Sequence, residues 1–131
     1  GTMGYALPSA IAAKLMFPKR PVLAMMGEAG LDMVIGEMAL LAHHKLALTL
    51  VVFRDDTLSL IRLKQQRMRL PATGVATGSP DYVMLAEAYG GNGFVVNDGV
   101  ELRKVARVAL NSKRFTLIEA RINPAEYQHQ M

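Results

Sequence analysis

Two runs of apolar residues, 22–26 and 48–53, stand out along the chain, and each ends at an acidic turn. The first turn is Gly-Glu-Ala-Gly (27–30) and the second is Arg-Asp-Asp-Thr (54–57). Continuous apolar runs of this length are typical of strands buried on both faces of a parallel sheet. Between them, apolar side chains recur at helical spacing, at Leu31, Val34, Ile35, Met38 and Leu41. The pattern predicts a βαβ unit with a right-handed crossover and a helix over about 31–43.

Helical patterns also flank this unit. Residues 5–17 favour a helix that ends before Pro18, and residues 58–66 favour a second helix. Residues 67–78 have no apolar period and are expected to form a loop. In the second helix, Leu58, Ile61 and Leu63 are expected to face inward, with Arg62 and Lys64 outward. The apolar residues at roughly helical spacing in the first helix are Tyr5, Ile11, Ala12, Leu15 and Met16.

The C-terminal half carries clear helix boundaries. Ser79-Pro80-Asp81 predicts a helix start with Ser79 as its N-cap, and Gly90-Gly91 predicts a left-handed C-cap. Asp98 and Glu101 resemble a capping box that opens a further helix. Strands are expected at 94–96 and, internal to the sheet, at 115–122, followed by a surface tail. The fold class predicted is α/β, a mainly parallel open sheet with helices on both faces.

Composition narrows the possible functions. The 131 residues are 51% hydrophobic and 20% charged, which indicates one globular domain with a real core. The absence of cysteine excludes a disulfide scaffold and favours a reducing compartment such as the cytoplasm. The net charge of +4 comes without basic runs interleaved with aromatic residues, so nucleic-acid binding is not expected. No run is long enough for a membrane span, and the N-terminus lacks the basic region of a signal peptide.

The two acidic turns provide the candidate chemistry. Glu28 and Asp55 each follow a predicted strand, and the carboxyl ends of parallel strands open into one crevice. Two carboxylates beside a glycine-flanked helix start suit a divalent cation and a bound phosphate. From the residues alone, the same acids are more typical of ordinary loop residues that cap helices.

Five segments together resemble a known family. They occur in order over nearly the whole chain: GTMGYALPSAIAAK, GEAG, VVFRDDTLSLIRLKQ, PDYVMLAEAYGG and the last predicted strand, which runs into INPAEY. They resemble the C-terminal cofactor domain of thiamine-diphosphate enzymes, in the acetolactate synthase and 2-oxo-acid decarboxylase branch. The family signature is Gly-Asp-Gly or Gly-Asp-Ala followed by Asn-Asn. Here Gly-Glu-Ala (27–29) stands in the first position and Arg-Asp (54–55) in the second.

The resemblance implies a magnesium site formed by Glu28, Asp55 and the backbone carbonyl of Thr57. Glu28 is one methylene longer than the family aspartate, and Asp55 replaces a neutral amide by an anion. The site would therefore carry one negative charge more than the family pattern. Arg54 replaces the first asparagine, and we expect it to form a compensating pair with Asp55.

The resemblance also implies the residues that hold thiamine diphosphate. Small residues let backbone N–H groups approach the diphosphate, and Leu58 is expected at its edge. Gly1 and Met3 match positions whose backbone holds the aminopyrimidine ring, and Met3 also matches the bulky residue that bends the cofactor. The expected cofactor-binding residues are Gly1, Met3, Gly27, Ala29, Gly30 and Leu58.

The activity implied is decarboxylation or carboligation of a 2-oxo acid, with the cofactor as electron sink. The family's cofactor-activating glutamate lies in the pyrimidine-binding domain of another subunit, so we expect a homo-oligomer (dimer or tetramer) and no catalytic residue in this chain. Because no strand precedes the first helix, residues 1–131 are expected to be one domain of a longer enzyme, inactive alone. Two alternatives remain: a degenerate regulatory paralogue that no longer binds the cofactor, and an unrelated nucleotide-binding domain.

Several other residues have plain structural interpretations. The pair His43-His44 closes a predicted helix near its negative end, where histidine is favourable. Asp32 and Glu37 are interpreted as helix-surface acids without a role. The basic residues Arg62, Lys64, Arg67 and Arg69 are interpreted as a solvated face, with an anionic substrate or coenzyme phosphate as the alternative.

Overall fold

A computed structural model describes residues 2–78 and 80–129. Its centre is a four-stranded sheet in the order β1-β2-β4-β3, with every neighbouring pair parallel. The strands are β1 (Leu23–Gly27), β2 (Thr49–Arg54), β3 (Asn92–Val96) and β4 (Thr116–Arg121). The predicted α/β class with a parallel sheet is confirmed.

One α-helix precedes the first strand, and the others lie between successive strands. The α-helices are α1 (Ala6–Met16), α2 (Glu28–Asp32), α3 (Met38–His43), α4 (Ser59–Arg67), α5 (Tyr82–Ala88) and α6 (Gly99–Ala109). Two 3-10 helices span Ile35–Glu37 and Pro124–His129. No helix in the described part of the chain is both long and apolar enough to cross a lipid bilayer.

Alternate residues of β2 face two separate cores. Leu50 and Val52 pack with residues of α1, α2, α3 and α5 on one face of the sheet. Val51 packs with α6 on the other face. Because side chains alternate along a strand, the continuous apolar stretch 50–53 of β2 fits a position covered by helices on both faces. The prediction of helices on both faces is therefore confirmed, and β4 is internal as expected.

The prediction that the first strand is buried on both faces is wrong. β1 lies at the edge of the sheet, and Met25 is 61% exposed. Ala24 and Met26 pack against the first core, whereas the alternate positions Leu23 and Met25 point away from it. An apolar run identifies a strand but does not give its place in the sheet.

The predicted helix over 31–43 is interrupted. α2 ends at Asp32, a 3-10 helix follows, and α3 begins only at Met38. Gly36 lies within the interruption, and glycine is a weak helix former. The apolar stripe nevertheless reaches the core as predicted, with Leu31, Met38 and Leu41 buried and Val34 and Ile35 packed against them.

The predictions for two other helices are confirmed only in part, since Ile11 is buried and Leu58 and Leu63 are half-buried. In α1 the buried residues are Leu7, Ala10 and Ile11, whereas Tyr5, Leu15 and Met16 are exposed. In α4, Ile61 is 47% exposed beside an exposed Leu60. These two helices thus carry more apolar side chains than pack against the sheet.

Helix boundaries in the C-terminal half follow local hydrogen bonds. The N-cap of α5 is Asp81, which accepts from Met84 N–H at 2.9 Å, so the prediction of Ser79 as the N-cap is wrong; Ser79 itself lies outside the described residues. Gly90 ends α5 with φ of +79°, as predicted. Asp98 caps α6 through Val100 and Glu101 N–H, while Glu101 accepts from Asn97 N–H.

Candidate cofactor and metal site

The carboxyl ends of β1 and β2 open into a cavity of about 470 Å³. The candidate residues that share its wall are Met3, Gly27, Glu28, Ala29, Gly30, Asp55, Thr57 and Leu58. Gly1 lies outside the described residues. The fold therefore brings together two turns that are more than twenty residues apart in sequence. Their role in binding stays a prediction.

Glu28 is the first residue of α2 and is only 4% exposed. Its carboxylate accepts from Asp55 N–H through Oε2 and from the Thr77 hydroxyl through Oε1, both at 3.3 Å. Burial raises the pKa of Glu28 above its ordinary value of 4.5, and the negative charge of Asp55 acts in the same direction. Hydrogen bonds from the backbone N–H groups of Glu28 and Asp55 oppose this rise. The two acids thus lie close enough to repel each other.

Asp55 is half-buried and organises the start of α4. Its Oδ1 accepts from Thr57 N–H at 3.1 Å, and its Oδ2 accepts from the Ser59 hydroxyl at 2.5 Å. Each carboxylate oxygen has a second lone pair, so these bonds leave acceptor capacity on both oxygens. Local turn chemistry therefore fixes this carboxylate beside Glu28.

The loop after α4 returns to the site. Thr57 and Ala76 form an isolated antiparallel bridge, and Leu58 N–H donates to Val75 O at 2.7 Å. This pairing carries Thr77 to Glu28. Sequence reasoning interpreted residues 67–78 as a loop and missed its contribution. No periodic signal marks such a return, because it depends on two distant segments meeting.

Two further residues of the site were also missed. Ser59 lies four residues after Asp55, a spacing at which a hydroxyl in the first turn of a helix can meet a preceding acid. Tyr127, from the 3-10 helix in the tail, lines the cavity and is half-buried. Burial raises the pKa of the Tyr127 phenol, and the charges of Asp55 and Glu28 add to it. The only feature of the sequence that could have indicated Tyr127 is that an aromatic residue follows shortly after the end of a strand.

The predicted pairing of Arg54 with Asp55 is wrong. Arg54 Nε donates to Asp56 Oδ1 at 2.8 Å, and Arg54 Nη1 donates to Glu119 Oε2 at 3.2 Å. Successive side chains at the end of β2 point to opposite sides, so Arg54 and Asp55 diverge. Arg54 therefore does not balance the negative charge of Asp55.

Asp32 has a partner that sequence reasoning did not expect. The Tyr82 hydroxyl, on a fully buried ring, donates to Asp32 Oδ1 at 2.7 Å. This bond joins α2 to α5, so Asp32 is a half-buried structural contact and not a plain helix-surface acid. By contrast, Arg62 and Lys64 are exposed, as predicted for a solvated face.

The donor set fits a hard divalent cation. The groups available are two carboxylates and the carbonyl of Thr57, all oxygen donors of the kind that Mg²⁺ prefers. Burial and, to a smaller extent, the charge of Asp55 raise the pKa of Glu28, and a cation between the two acids would offset both effects. The described residues contain no cluster of three or more acidic, histidine or cysteine side chains placed to hold a metal. Other oxygens, such as those of a bound diphosphate, would have to complete the shell.

The sheet and its strand-end cavity define an α/β domain with a candidate ligand site at the carboxyl ends of its strands. Residues 1–120 match the family described as thiamine pyrophosphate enzyme, C-terminal TPP binding domain. The chain belongs to this family, which confirms the resemblance and removes the alternative of an unrelated nucleotide-binding domain.

Relatives in this family are longer than the chain. It is 29% identical to an acetolactate synthase large subunit from Parasynechococcus marenigrum, over all of the chain and 22% of that protein. It is 31% identical to a putative thiamine pyrophosphate-containing protein, YdaP, from Bacillus subtilis, over 92% of the chain and 21% of that protein. The chain thus spans about a fifth of these curated relatives.

A solved structure shows the same fold. The thiamine diphosphate-dependent 4-hydroxybenzoylformate decarboxylase of Rhodococcus jostii RHA1 superposes with a TM-score of 0.84 at 27% identity. The match covers 92% of this chain and 23% of that one. The chain is therefore a member of the C-terminal TPP binding domain family, similar in sequence and fold to acetolactate synthases and to this decarboxylase.

Proposed function

We propose that this domain holds the diphosphate of thiamine diphosphate through Mg²⁺, in a longer enzyme that decarboxylates or carboligates 2-oxo acids. The observation that carries the proposal is the contact between the two strand-end acids, with Asp55 N–H bonded to Glu28 Oε2 at 3.3 Å in one cavity. Two carboxylates that repel each other would also repel an anionic ligand in the same cavity, unless a cation lies between them.

The residues of the site have distinct proposed tasks. Glu28, Asp55 and the Thr57 carbonyl would hold the metal, and the hydrogen bonds from Ser59 and Thr77 orient the two carboxylates. Gly27 adjoins open space, since an added Cβ would meet no atom within 4 Å, and so leaves room for a diphosphate against the backbone. Backbone N–H groups near Ala29 and Gly30 would face that anion.

The remaining wall would hold the organic part of the cofactor. Met3 and Leu58 line the cavity as apolar surfaces. Met3 would lie against the bend of the cofactor, and Leu58 would lie at the diphosphate edge. Thiamine diphosphate, when bound, supplies an electron sink for cleavage of a bond next to a carbonyl. The chain itself provides binding and orientation.

We infer that catalysis requires a second domain. The described part of the cavity wall offers no acid beyond the two proposed metal ligands to activate the cofactor. A glutamate from the pyrimidine-binding domain of another subunit would perform that task, which makes the active protein a homo-oligomer and the isolated domain inactive. Such an enzyme would be a lyase or a transferase, depending on whether a proton or a second carbonyl compound is the acceptor.

Calorimetric titration of thiamine diphosphate into the full-length protein, with and without Mg²⁺, tests the proposal. Binding should require Mg²⁺ and should be lost in Glu28→Ala. Glu37→Ala is the matched control, because Glu37 is an exposed acid in the following 3-10 helix and does not line the cavity. No binding by the wild-type protein would instead favour the degenerate, regulatory paralogue.

A further inference from the structure

We propose that Arg54 is a positioning residue for the metal site, holding the turn after β2 so that Asp55 and Thr57 face Glu28. The inference rests on the proposed function. It assigns a role to a residue that departs from the family signature and that makes no direct contact with Asp55 among the bonds described.

Arg54 does not line the cavity and is anchored by residues of β4 and α5. Its Nη1 bonds Glu119, which lies within β4 and is only 2% exposed. Arg121 Nε bonds the other carboxylate oxygen of Glu119 at 3.1 Å, but the Arg121 side chain is far more exposed than that of Arg54. A buried carboxylate requires its partners, so Glu119 holds the Arg54 guanidinium in place.

Two contacts with α5 and the segment before it restrict the guanidinium further. Arg54 Nη1 lies 3.4 Å from Pro80 O, and its guanidinium carbon lies 5.8 Å from the centre of the Tyr82 ring. This distance permits a cation–π interaction. Tyr82 is fully buried, so Arg54 is fixed against the core from a third direction.

From this anchored position Arg54 controls the backbone of the turn. Asp56 has φ of +56°, in the left-handed region that side chains other than glycine seldom adopt. Its carboxylate accepts from Arg54 Nε at 2.8 Å, and its carbonyl accepts from Thr77 N–H at 3.2 Å. The reversal at Asp56 separates the two proposed ligands, Asp55 and Thr57. Loss of the Arg54 contact would therefore release the turn that aims both of them.

The test compares three variants of the full-length protein. The measured quantity is the Mg²⁺ concentration that gives half-maximal thiamine diphosphate binding, with the thermal midpoint of the metal-free protein recorded in parallel. Arg54→Met should raise this concentration by about tenfold or more, the effect usual for residues that orient metal ligands. Arg121→Met is the matched control, since it removes the other partner of Glu119 but leaves the turn intact, and it should change the value less than about twofold.

The third variant, Arg54→Met with Asp56→Asn, separates positioning from general stability. Asparagine tolerates the left-handed region better than most residues and leaves no unpaired carboxylate, so it should restore most of the lost Mg²⁺ affinity. If Arg54→Met does not fold, adding Glu119→Gln removes the buried charge that has lost one of its two partners, and the double variant then carries the same comparison.

Equal shifts in Arg54→Met and Arg121→Met, or no shift in Arg54→Met, would overturn the inference while leaving the proposed function standing. Failure of the asparagine variant to restore affinity would also contradict it. Absence of Mg²⁺-dependent binding in the wild-type protein would overturn the proposed function and this inference together.

Discussion

Replacing Glu28 by glutamine should stabilise the metal-free protein and weaken cofactor binding at the same time. The two effects share one cause, because Glu28 is buried beside Asp55 and its pKa is raised by burial and by that neighbouring charge. Glutamine has nearly the same shape and keeps one acceptor oxygen. The substitution therefore isolates the negative charge from the packing of the side chain.

The magnitude follows from the contact between the acids. The Asp55 N–H contacts the Glu28 carboxylate. Like charges about 4 Å apart would repel by about 4 kcal/mol at the effective dielectric constant near a protein surface, which sets an upper limit for this pair. Hydrogen bonds to a charged group contribute about 1.5–3 kcal/mol, part of which the amide loses. The metal-free glutamine variant should thus gain about 1–2 kcal/mol in free energy of unfolding near neutral pH.

The effect on binding has the opposite sign. Removing one partner of a buried ion pair costs about 3–5 kcal/mol, which corresponds to a loss of Mg²⁺ affinity of at least about 100-fold. Differential scanning calorimetry without divalent cations measures the first effect, and titration of thiamine diphosphate with Mg²⁺ measures the second. Glu37→Gln, at an exposed position, serves as the control.

An ordinary loop acid would behave differently. If Glu28 served only to accept hydrogen bonds from Asp55 N–H and Thr77, glutamine would leave the stability unchanged or lower it. A stability decrease without cation, or an unchanged requirement for Mg²⁺, would refute the reasoning.

Two further predictions concern pH and packing. The pKa of Glu28 is raised in the folded state, so its contribution to stability is full below pH 4.5 and is lost as pH rises through the folded pKa. The metal-free protein should therefore become less stable over that pH range. Thermal unfolding measured as a function of pH should show that Glu28→Gln removes this loss. Gly93→Ala should destabilise by about 1–3 kcal/mol, because a Cβ there would lie 2.6 Å from Val83 Cα. Gly99→Ala, which meets nothing within 4 Å, should be neutral or stabilising in denaturant unfolding.

Features that depend on neighbouring residues could be predicted from the sequence. The strands β1, β2 and β4 appear as apolar runs, and the cap of α6 at Asp98 follows from a short motif. The meeting of Glu28 and Asp55 also followed from sequence, because any two adjacent parallel strands bring their carboxyl ends to one edge. The family resemblance added the cofactor, which no residue pattern by itself specifies.

Only the tertiary structure decided the features that depend on which surfaces meet. The exposure of Met25 follows from the edge position of β1, and the partner of Arg54 follows from the register of β2 beside β4. Thr77 and Tyr127 reach the site from segments with no periodicity of their own. Periodicity and capping act over a few residues, so they determine strands, helices and turns. Pairing between distant segments depends on the packing of the whole chain, and that packing placed the last residues of the site.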